Sequence, residues 1–489
     1  MAEFKHLRGI ASTLHSFNLG TILCIGLPFS LSAARGYASE QRSALTEPCS
    51  FQTADPDLNA DDGADVHAGE KYTAAVGRIF KRDGFDELDC LADSLRTSKA
   101  RFAGGMWKLR ALYGGLESPT QHATEADWKE HLNRLNRWVA EKPRSITARI
   151  ALAEAYTDYA WDARGEGAAS TVSDSGSRLF AERSEKAKQI LGKASALRAK
   201  CPEWYVAMES VALAQGWERG DARALVEQAK SSEPEYYYVY RMYAQYLLPK
   251  WYGEEGETER FAAEVADSLG GNKGDVAYFQ IAGNLVCDCE DQPLYHMSWP
   301  RIRRGFDALD KQYGVSLTNL NLLALMAVKV KDSVVADHAF RRIGEQWSET
   351  DWKRRESFDT SKTWAAQTAP AEAWRRSLED EAEKNLRAAQ GPGYQVAFDK
   401  KFDSLMQECM KTAGSDGEPF EMLIRVGEGG TIERLMVNPT TTVSGCLFQN
   451  LMKLQMAKAT PFPPPPKASY WVRFNLDSAT SSSNNGEAH

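Results

Sequence analysis

The strongest constraint on the fold is a short motif that occurs twice in the middle of the chain. Residues 202–205 read Pro-Glu-Trp-Tyr, and residues 234–237 read Pro-Glu-Tyr-Tyr. Each copy predicts a helix start, because proline is tolerated in the first turn. Each is followed by a glycine, Gly220 or Gly256, and then by a second amphipathic helix. Since one such helix pair cannot bury its apolar face alone, the motif predicts an α-solenoid of helix-turn-helix repeats.

Helical periodicity extends well beyond these two copies. From about residue 72 to residue 389, apolar residues recur three and four positions apart, as in Leu88, Leu91 and Leu95. The predicted second helices span 221–228 and 257–265, and a similar pair of helices spans 317–328 and 334–343. Alternation typical of strands is absent before Gln390. We therefore expect a mainly α protein with a helical-repeat domain over residues 71–390.

A different pattern follows the Gly-Pro-Gly break at 391–393, which marks a domain boundary. The predicted elements are a helix with Phe402, Leu405, Met406 and Cys409, a strand at 420–426, a turn at 428–430, a strand at 431–437, a helix with Leu447, Leu451 and Leu454, and a strand at 470–476. This order predicts a small α+β module over residues 394–478. The last residues, 479–489, are predicted to form a disordered tail.

The helical body resembles the tetratricopeptide class of repeat. More narrowly, it resembles an uncharacterised bacterial helical family that is catalogued as a domain of unknown function. The residues that carry this second resemblance are Trp107-Lys108-Leu109, Pro143 with Ser145, Trp161-Asp162-Ala163-Arg164-Gly165 and Trp251-Tyr252-Gly253. The resemblance implies a helical fold and a location in the cell envelope, but no activity.

The C-terminal module resembles the C-terminal domain of TonB-type energy transducers. The shared features are the helix-hairpin-helix-strand order, the glycine-containing turn and the Phe-Pro-Pro run before the last strand. A transducer has a membrane anchor and a proline-rich spacer where this chain has its long helical body. In the TonB-like arrangement both helices cover one face of the sheet, so the resemblance implies a disulfide between Cys409 and Cys446. Two buried free thiols are the alternative.

The N-terminus has the pattern of a secretory signal peptide. Lys5 and Arg8 precede an apolar stretch from about residue 17 to residue 31, and small residues suit cleavage after Ala34 or Ala38. We expect a signal peptide over residues 1–38 and an acidic flexible leader over residues 39–70, which has few large apolar residues. The alternative is an uncleaved membrane anchor, although the stretch is shorter than the roughly 20 residues of a membrane span.

Cysteine content and charge fit an exported protein. In an oxidising compartment most of the cysteines after the signal peptide should pair, with one left over; they are Cys49, Cys90, Cys201, Cys287, Cys289, Cys409 and Cys446. Cys287 and Cys289 lack the second ligand pair of a zinc site, and we expect neither metal nor cofactor. The net charge of -8 argues against nucleic-acid binding, which needs a concentrated basic face.

No group of residues in the sequence predicts an enzyme active site. Trp161, Asp162 and Arg164 come nearest, because an aspartate can act as a base and an arginine can hold an anion. The alternative is a helix end, with Gly165 as its cap, Arg164 at the negative end of the helix dipole and Trp161 packed inward. No histidine falls in a nucleophile or metal motif. We therefore expect a protein that is not an enzyme.

A run of aromatic residues gives the best candidate binding surface. It comprises Tyr236, Tyr237, Tyr238, Tyr240, Tyr243, Tyr246, Trp251 and Tyr252. Tyr236, Tyr240 and Tyr243 share one helix face, whereas Tyr238 and Tyr246 lie elsewhere on the helix. Because one face cannot hold all of them, we expect some to meet a ligand or partner. Packing between repeats is the alternative. Trp161 and Arg164 complete the candidate binding residues.

These patterns together predict a non-catalytic binding or scaffold protein, periplasmic or secreted, with no integral membrane segment after signal cleavage. The expected partner is a protein, either an extended peptide or an envelope protein, and a glycan is the other ligand considered. The helical repeats would offer a concave surface, and the exposed sheet edge of the module would accept a strand. The alternatives are a TonB-like energy transducer with an uncleaved anchor and a glycan-processing envelope enzyme.

Overall fold

A computed structural model of the protein describes residues 55–476, apart from 121–122, 166, 168, 288–293, 295 and 414–417. The described chain is mainly helical, with a small three-stranded antiparallel sheet near its C-terminal end. Within this part of the chain, no helix is both long enough and apolar enough to cross a membrane. The predicted signal peptide, residues 39–54 of the leader and the tail lie outside the described residues.

Sixteen helices precede the C-terminal module in the described chain. They are α1 (Ala68–Lys81), α2 (Phe85–Ser98), α3 (Lys108–Gly114), α4 (Glu125–Glu141), α5 (Ile146–Arg164), α6 (Asp174–Ser195), α7 (Glu203–Gln215), α8 (Arg219–Ser232), α9 (Tyr238–Tyr246), α10 (Glu257–Leu269), α11 (Gly271–Cys287), α12 (Trp299–Tyr313), α13 (Leu317–Lys329), α14 (Ser333–Ile343), α15 (Glu349–Trp352) and α16 (Arg355–Arg387).

Local hydrogen bonds fix where these helices begin and end. Ser145 and Ser316 cap α5 and α13 by accepting a backbone N–H of the first turn, at 2.9 Å and 3.0 Å. α5 ends at Arg164, where Gly165 takes a φ of 74° and the guanidinium of Arg164 donates to its carbonyl at 3.0 Å. The predicted helix end at Gly165 is therefore confirmed, whereas Trp161, predicted to pack inward, is half-buried.

Successive helices of the body pack in overlapping pairs. α7 contacts α5, α6, α8 and α9, and α9 contacts α7, α8, α10 and α11. The predicted helix pairs are confirmed as α7 with α8, α9 with α10, and α13 with α14. Each of these helices has neighbours on several sides, so one continuous apolar core runs from Leu58 to Ala365.

The segment before α1 is folded from residue 55 onward, so the expectation of a flexible leader through residue 70 is wrong for this part. Residues 56–59 form a short 3-10 helix with Leu58 buried. Asp62 is buried as well, and it accepts hydrogen bonds from the hydroxyl groups of Ser316 and Thr318. Ser316 lies 254 residues further along the chain. These polar side chains are satisfied by protein partners, and the start of the body is held against α13.

The C-terminal module contains the elements that the sequence predicts. They are α17 (Gly391–Ala413), β1 (Phe420–Gly427), β2 (Ile432–Asn438), α18 (Thr442–Met456) and β3 (Ser469–Leu476). β1 is the central strand and pairs antiparallel with β2 and β3. Met422 and Ile424 pack with α17 and α18 on one face of the sheet, whereas Leu423 points to the other face.

Helix α16 joins the body to the module. Its first half packs Phe358 into the core of the body, and its second half packs Leu378 against Trp471 of β3. Asn385 donates a hydrogen bond to the carbonyl of Trp471 at 3.1 Å. The sheet is therefore covered by helices on both faces, and the predicted boundary at 391–393 is the place where α17 begins.

The disulfide between Cys409 and Cys446 is confirmed, with a Cα–Cα distance of 5.7 Å. It ties α17 to α18, the two helices on one face of the sheet. Cys90 is disulfide-bonded as well, whereas Cys201 is a buried free thiol. Cys49 and Cys289 lie outside the described residues.

Candidate functional site

One face of α5 connects two groups of side chains that the sequence does not bring together. Glu154, Asp158 and Trp161 are spaced four and three residues apart, so they lie within one stripe of the helix. At a rise of about 1.5 Å per residue, Asp158 and Trp161 are about 4.5 Å apart along the axis. Charged residues surround the first part of this stripe, and aromatic residues surround its end.

The first group, here called the acidic cluster, consists of Arg110, Glu117, Glu154, Asp158 and Glu203. Arg110 on α3 forms ion pairs with three of the four carboxylates. Its Nη1 lies 2.6 Å from Glu203 and 3.2 Å from Glu154, and its Nη2 pairs with Glu117. The carboxylates come from the segment after α3, from α5 and from the first residue of α7.

The acidic cluster is sunk into the helical body but still reaches solvent. The side chain of Glu203 is fully buried, whereas that of Arg110 keeps 29% of its surface exposed. Asp158 is half-buried. A helix N-terminus favours a carboxylate, which helps to hold Glu203 in place. The acidic cluster is therefore closed to solvent at Glu203 and partly open to it at Arg110 and Asp158.

The electrostatic environment of the acidic cluster favours protonated carboxyl groups. Burial, followed by repulsion from Glu203, raises the pKa of Glu154 well above its usual value. Burial, followed by repulsion from Glu117, raises the pKa of Asp158 to about 7. Four carboxyl groups face the single positive charge of Arg110, so the cluster lacks positive charge when all of them are ionised.

Two carboxyl groups of the acidic cluster have different surroundings. The Oε2 atom of Glu154, a residue with 7% exposure, receives no N–H or hydroxyl donor from the described chain, but the carboxyl group of Glu154 shares a hydrogen bond with that of Glu203, which helps to raise its pKa. Asp158 is only half-buried, so its carboxyl group keeps contact with solvent.

Aromatic side chains hold the buried side of the acidic cluster in place. The hydroxyl group of Tyr236 donates to Glu203, and its ring packs edge-on against Trp107 with centroids 4.9 Å apart. Trp107 donates its indole N–H to the carbonyl of Glu235 at 3.0 Å, and its backbone N–H to the hydroxyl of Tyr238 at 3.1 Å. These contacts fix α3 against the start of α9 and thereby position Arg110.

The second group, here called the aromatic cluster, consists of Trp161, Arg164, Phe180, Trp251 and Tyr252. The ring of Trp161 lies 4.8 Å from that of Phe180 and 5.5 Å from that of Trp251. The guanidinium of Arg164 lies over both indole rings, at 5.5 Å and 5.8 Å. Four of the predicted binding residues therefore meet at this place, from segments far apart in the sequence.

The aromatic cluster is accessible. Tyr252 is 40% exposed, and Trp161, Phe180 and Trp251 are half-buried. The indole N–H of Trp251 has no acceptor in the described chain. Gly216 ends α7 with a φ of +61°, and a Cβ atom there would lie 2.9 Å from the ring of Tyr252. The absence of a side chain at Gly216 lets Tyr252 lie against the end of α7.

The other predicted binding tyrosines are packed inside the protein. Tyr236, Tyr240, Tyr243 and Tyr246 are all buried, and Tyr238 is half-buried. The hydroxyl groups of Tyr240 and Tyr246 donate to the carbonyls of Pro234 at 3.1 Å and of Trp217 at 2.6 Å. Neither Tyr238 nor Tyr246 is exposed, because α9 contacts α7, α8, α10 and α11. The alternative interpretation, in which these tyrosines pack between repeats, therefore applies to them.

Neither the buried thiol of Cys201 nor the buried ring of His131 pairs with a carboxylate of the acidic cluster in the described chain. Burial raises the pKa of the Cys201 thiol, which keeps it protonated and a poor nucleophile. His131 is buried, and its ring lies 2.8 Å from the carbonyl of Leu116 rather than beside a carboxylate of the acidic cluster. No group of three or more described His, Cys, Asp or Glu side chains has an arrangement that would hold a metal ion.

Comparison of the chain with protein-family models, with curated proteins and with solved structures finds no match. The site must therefore be interpreted from its own geometry.

Proposed function

We propose that this protein is a non-catalytic, exported binding protein of the cell envelope, and that it holds an extended segment of a partner protein on its helical-repeat surface. The observation that carries the proposal is the aromatic cluster. Trp161, Phe180 and Trp251 come from three separate segments, converge around Arg164, and leave Tyr252 40% exposed.

The chemistry of the aromatic cluster suits protein recognition. Tryptophan, tyrosine and arginine are the residue types most enriched among energetically dominant interface residues. Their rings here are held by neighbouring rings, so little side-chain freedom is lost when a partner binds.

The C-terminal sheet offers a second contact for such a partner. On the edge strand β3, the carbonyl of Trp471 already accepts a hydrogen bond from Asn385. β2 is the opposite edge strand of the sheet. Gln455 contacts the carbonyl of Glu433 near the start of β2. We propose that the rest of the β2 edge accepts a strand from the partner by β-augmentation.

Location outside the cytoplasm is supported by cysteine chemistry and by the N-terminal sequence pattern. Disulfides persist in oxidising compartments and are rare in the cytoplasm. The bond between Cys409 and Cys446, together with the signal-peptide pattern of residues 1–38, supports a periplasmic or secreted protein.

A displayed library of random peptides, selected on the full chain, tests this function. We expect enriched peptides that bind wild-type protein and bind Tyr252→Ala at least about tenfold more weakly, because truncating an exposed anchor residue costs about 1.4 kcal/mol or more. The matched control is Tyr240→Phe, which removes a hydroxyl group from a buried ring outside the aromatic cluster and should leave peptide affinity unchanged. Absence of any enriched peptide, or equal affinity for Tyr252→Ala, would overturn the proposal.

A further inference from the structure

We infer that the aromatic cluster is a receptor for an acidic segment, in which the carboxylate of an aspartate or glutamate binds the guanidinium of Arg164 and a neighbouring apolar side chain packs on Tyr252. The inference rests on the proposed function, since it names the chemistry of the same extended partner. Its basis is a positive charge that lies over two indole rings and has no carboxylate partner in the described chain.

The guanidinium of Arg164 is held in place but is not fully used. It lies 5.5 Å from the ring centroid of Trp161 and 5.8 Å from that of Trp251. Its Nη1 atom donates to the carbonyls of Gly165 at 3.0 Å and of Gly167 at 3.2 Å. The Nε and Nη2 atoms donate to no described residue and are not enclosed by protein. The helix end therefore occupies Nη1 and leaves the Nε–Nη2 edge open to a ligand.

The described acids near Arg164 leave its charge without a partner. Arg219, at the start of α8, pairs with Glu257 at 2.6 Å, whereas Arg164 forms no ion pair with a described residue. Asp162 is exposed and lies two residues, or about 200° around α5, from Arg164. Glu218 lies at the N-terminus of α8, where the helix dipole offsets its charge. Arg164 can therefore still bind the carboxylate of a ligand.

A second cation without a described ion-pair partner lies beside the aromatic cluster. The ring of Tyr252 lies against Gly216 at the end of α7, and the next residue, Trp217, has its ring centroid 4.9 Å from the Nζ atom of Lys188. Glu185, less than one helical turn before Lys188, accepts hydrogen bonds from two glutamine amides instead of pairing with it. Lys188 therefore adds a positive charge that an acidic segment lying across Tyr252 can also meet.

These cations decide the sign of the ligand's charge. An indole face attracts a cation, but the indoles of Trp161, Trp217 and Trp251 already have one over them, so a lysine or arginine of a partner would meet a like charge. A carboxylate matches the open edge of Arg164 with two parallel hydrogen bonds. Tyr252, with 40% exposure, offers its ring to an apolar side chain next to that carboxylate. Burial raises the pKa of the Tyr252 hydroxyl, so this group stays neutral and adds no negative charge beside Arg164.

Two measurements on the full chain test the inference. In the first, the random peptide library is selected on wild type, on Arg164→Glu and on Arg198→Glu, which reverses the charge of an exposed arginine beyond the far end of α6. We expect aspartate and glutamate to be enriched on wild type and on Arg198→Glu, and lysine and arginine to replace them on Arg164→Glu. Peptides without an acidic preference on wild type, or with the same acidic preference on Arg164→Glu, would overturn the inference.

The second measurement decides the matter even if the charge-reversed variant does not fold. An enriched peptide and its version with the acid replaced by the matching amide are titrated against wild type and Arg164→Gln. We expect the amide peptide to bind wild type about tenfold more weakly, by a smaller factor in 0.5 M sodium chloride because salt screens the pair, and to bind Arg164→Gln as well as the acidic peptide does. An unchanged preference for the acid on Arg164→Gln contradicts the inference. If peptides bind through Tyr252 without acidic preference, the proposed function stands and this inference fails; if no peptide binds, the proposed function fails.

Discussion

Removing the disulfide between Cys409 and Cys446 should weaken the C-terminal module by about 4 kcal/mol. The bond joins residues with a sequence separation of 37. The chain-entropy relation for a loop of this length gives about 13 cal/mol/K of disorder regained by the unfolded chain, or about 3.9 kcal/mol at 25 °C. Since each 1.4 kcal/mol is a factor of ten, the unfolded form of the module should become about 600-fold more populated.

Hydrogen exchange measured by mass spectrometry can follow this change in the full chain. The perturbation is the double variant Cys409→Ala with Cys446→Ala, because a reducing agent would also attack the disulfide of Cys90. Protection of the β1 amides, at 420–427, should fall by about 600-fold. Cys201→Ala is the control, because it truncates a buried cysteine that forms no disulfide and belongs to the body core. A loss of protection in β1 of less than about tenfold would refute the argument.

Glu209 should make the free energy of unfolding depend on pH. The residue is 1% exposed, and both of its carboxyl oxygens lack a partner in the described chain. Burial therefore raises the pKa of Glu209 well above its usual value. The carboxyl group of Glu209 binds its proton more tightly in the folded state than in the unfolded state. The stabilisation of the folded state that results is fully present below about pH 4.3, and it is lost as the pH rises toward the folded-state pKa of Glu209. Glu209→Met should therefore raise the free energy of unfolding by about 1–3 kcal/mol at pH 7.5 and by less at pH 5; equal gains in denaturant titrations at both pH values would contradict this. Protein isolated from the cell envelope should begin after Ala34 or Ala38, and intact mass spectrometry that finds Met1 or Ala2 would show that the N-terminal segment is retained.

Much of the fold follows from local sequence patterns. The apolar periodicity predicts the helix pairs of the body. The first Pro-Glu motif, at 202–205, forms the start of α7, and the second, at 234–237, directly precedes α9. The alternation at 420–426 and 470–476 predicts β1 and β3, and the glycines at 429–430 predict the hairpin. These features depend on residues close together in the chain, where the periods of helix and strand are directly readable.

The burial of the aromatic run could not be predicted from local patterns. A helix with one neighbour buries one stripe of side chains, so its period alone predicts that several tyrosines of α9 contact solvent. α9 is instead surrounded by α7, α8, α10 and α11, and Tyr246 is only 2% exposed. The number of neighbours around a helix is a property of the assembled fold, which the periodicity of a single helix does not contain.

The acidic cluster is missed for a related reason. Arg110 is 44 residues from Glu154 and 93 residues from Glu203, and carboxylates are too common in the chain for any one to attract notice. One local signal does exist: Glu154 interrupts the apolar segment 150–155 of α5. An acid in the middle of such a segment is seldom buried without a partner or a function.

The contact of Asp62 with Ser316 has a consequence for biosynthesis. A ribosome adds about 5–20 residues per second, so the 254 residues between them take about 13–50 s to make. Throughout this interval the segment that contains Asp62 has no partner for its carboxylate, and the helices between can already pack on one another. The body therefore cannot be finished by growth from its first helix alone. This contact can form only after the chain has been made as far as Thr318, and it then holds the start of the body against α13.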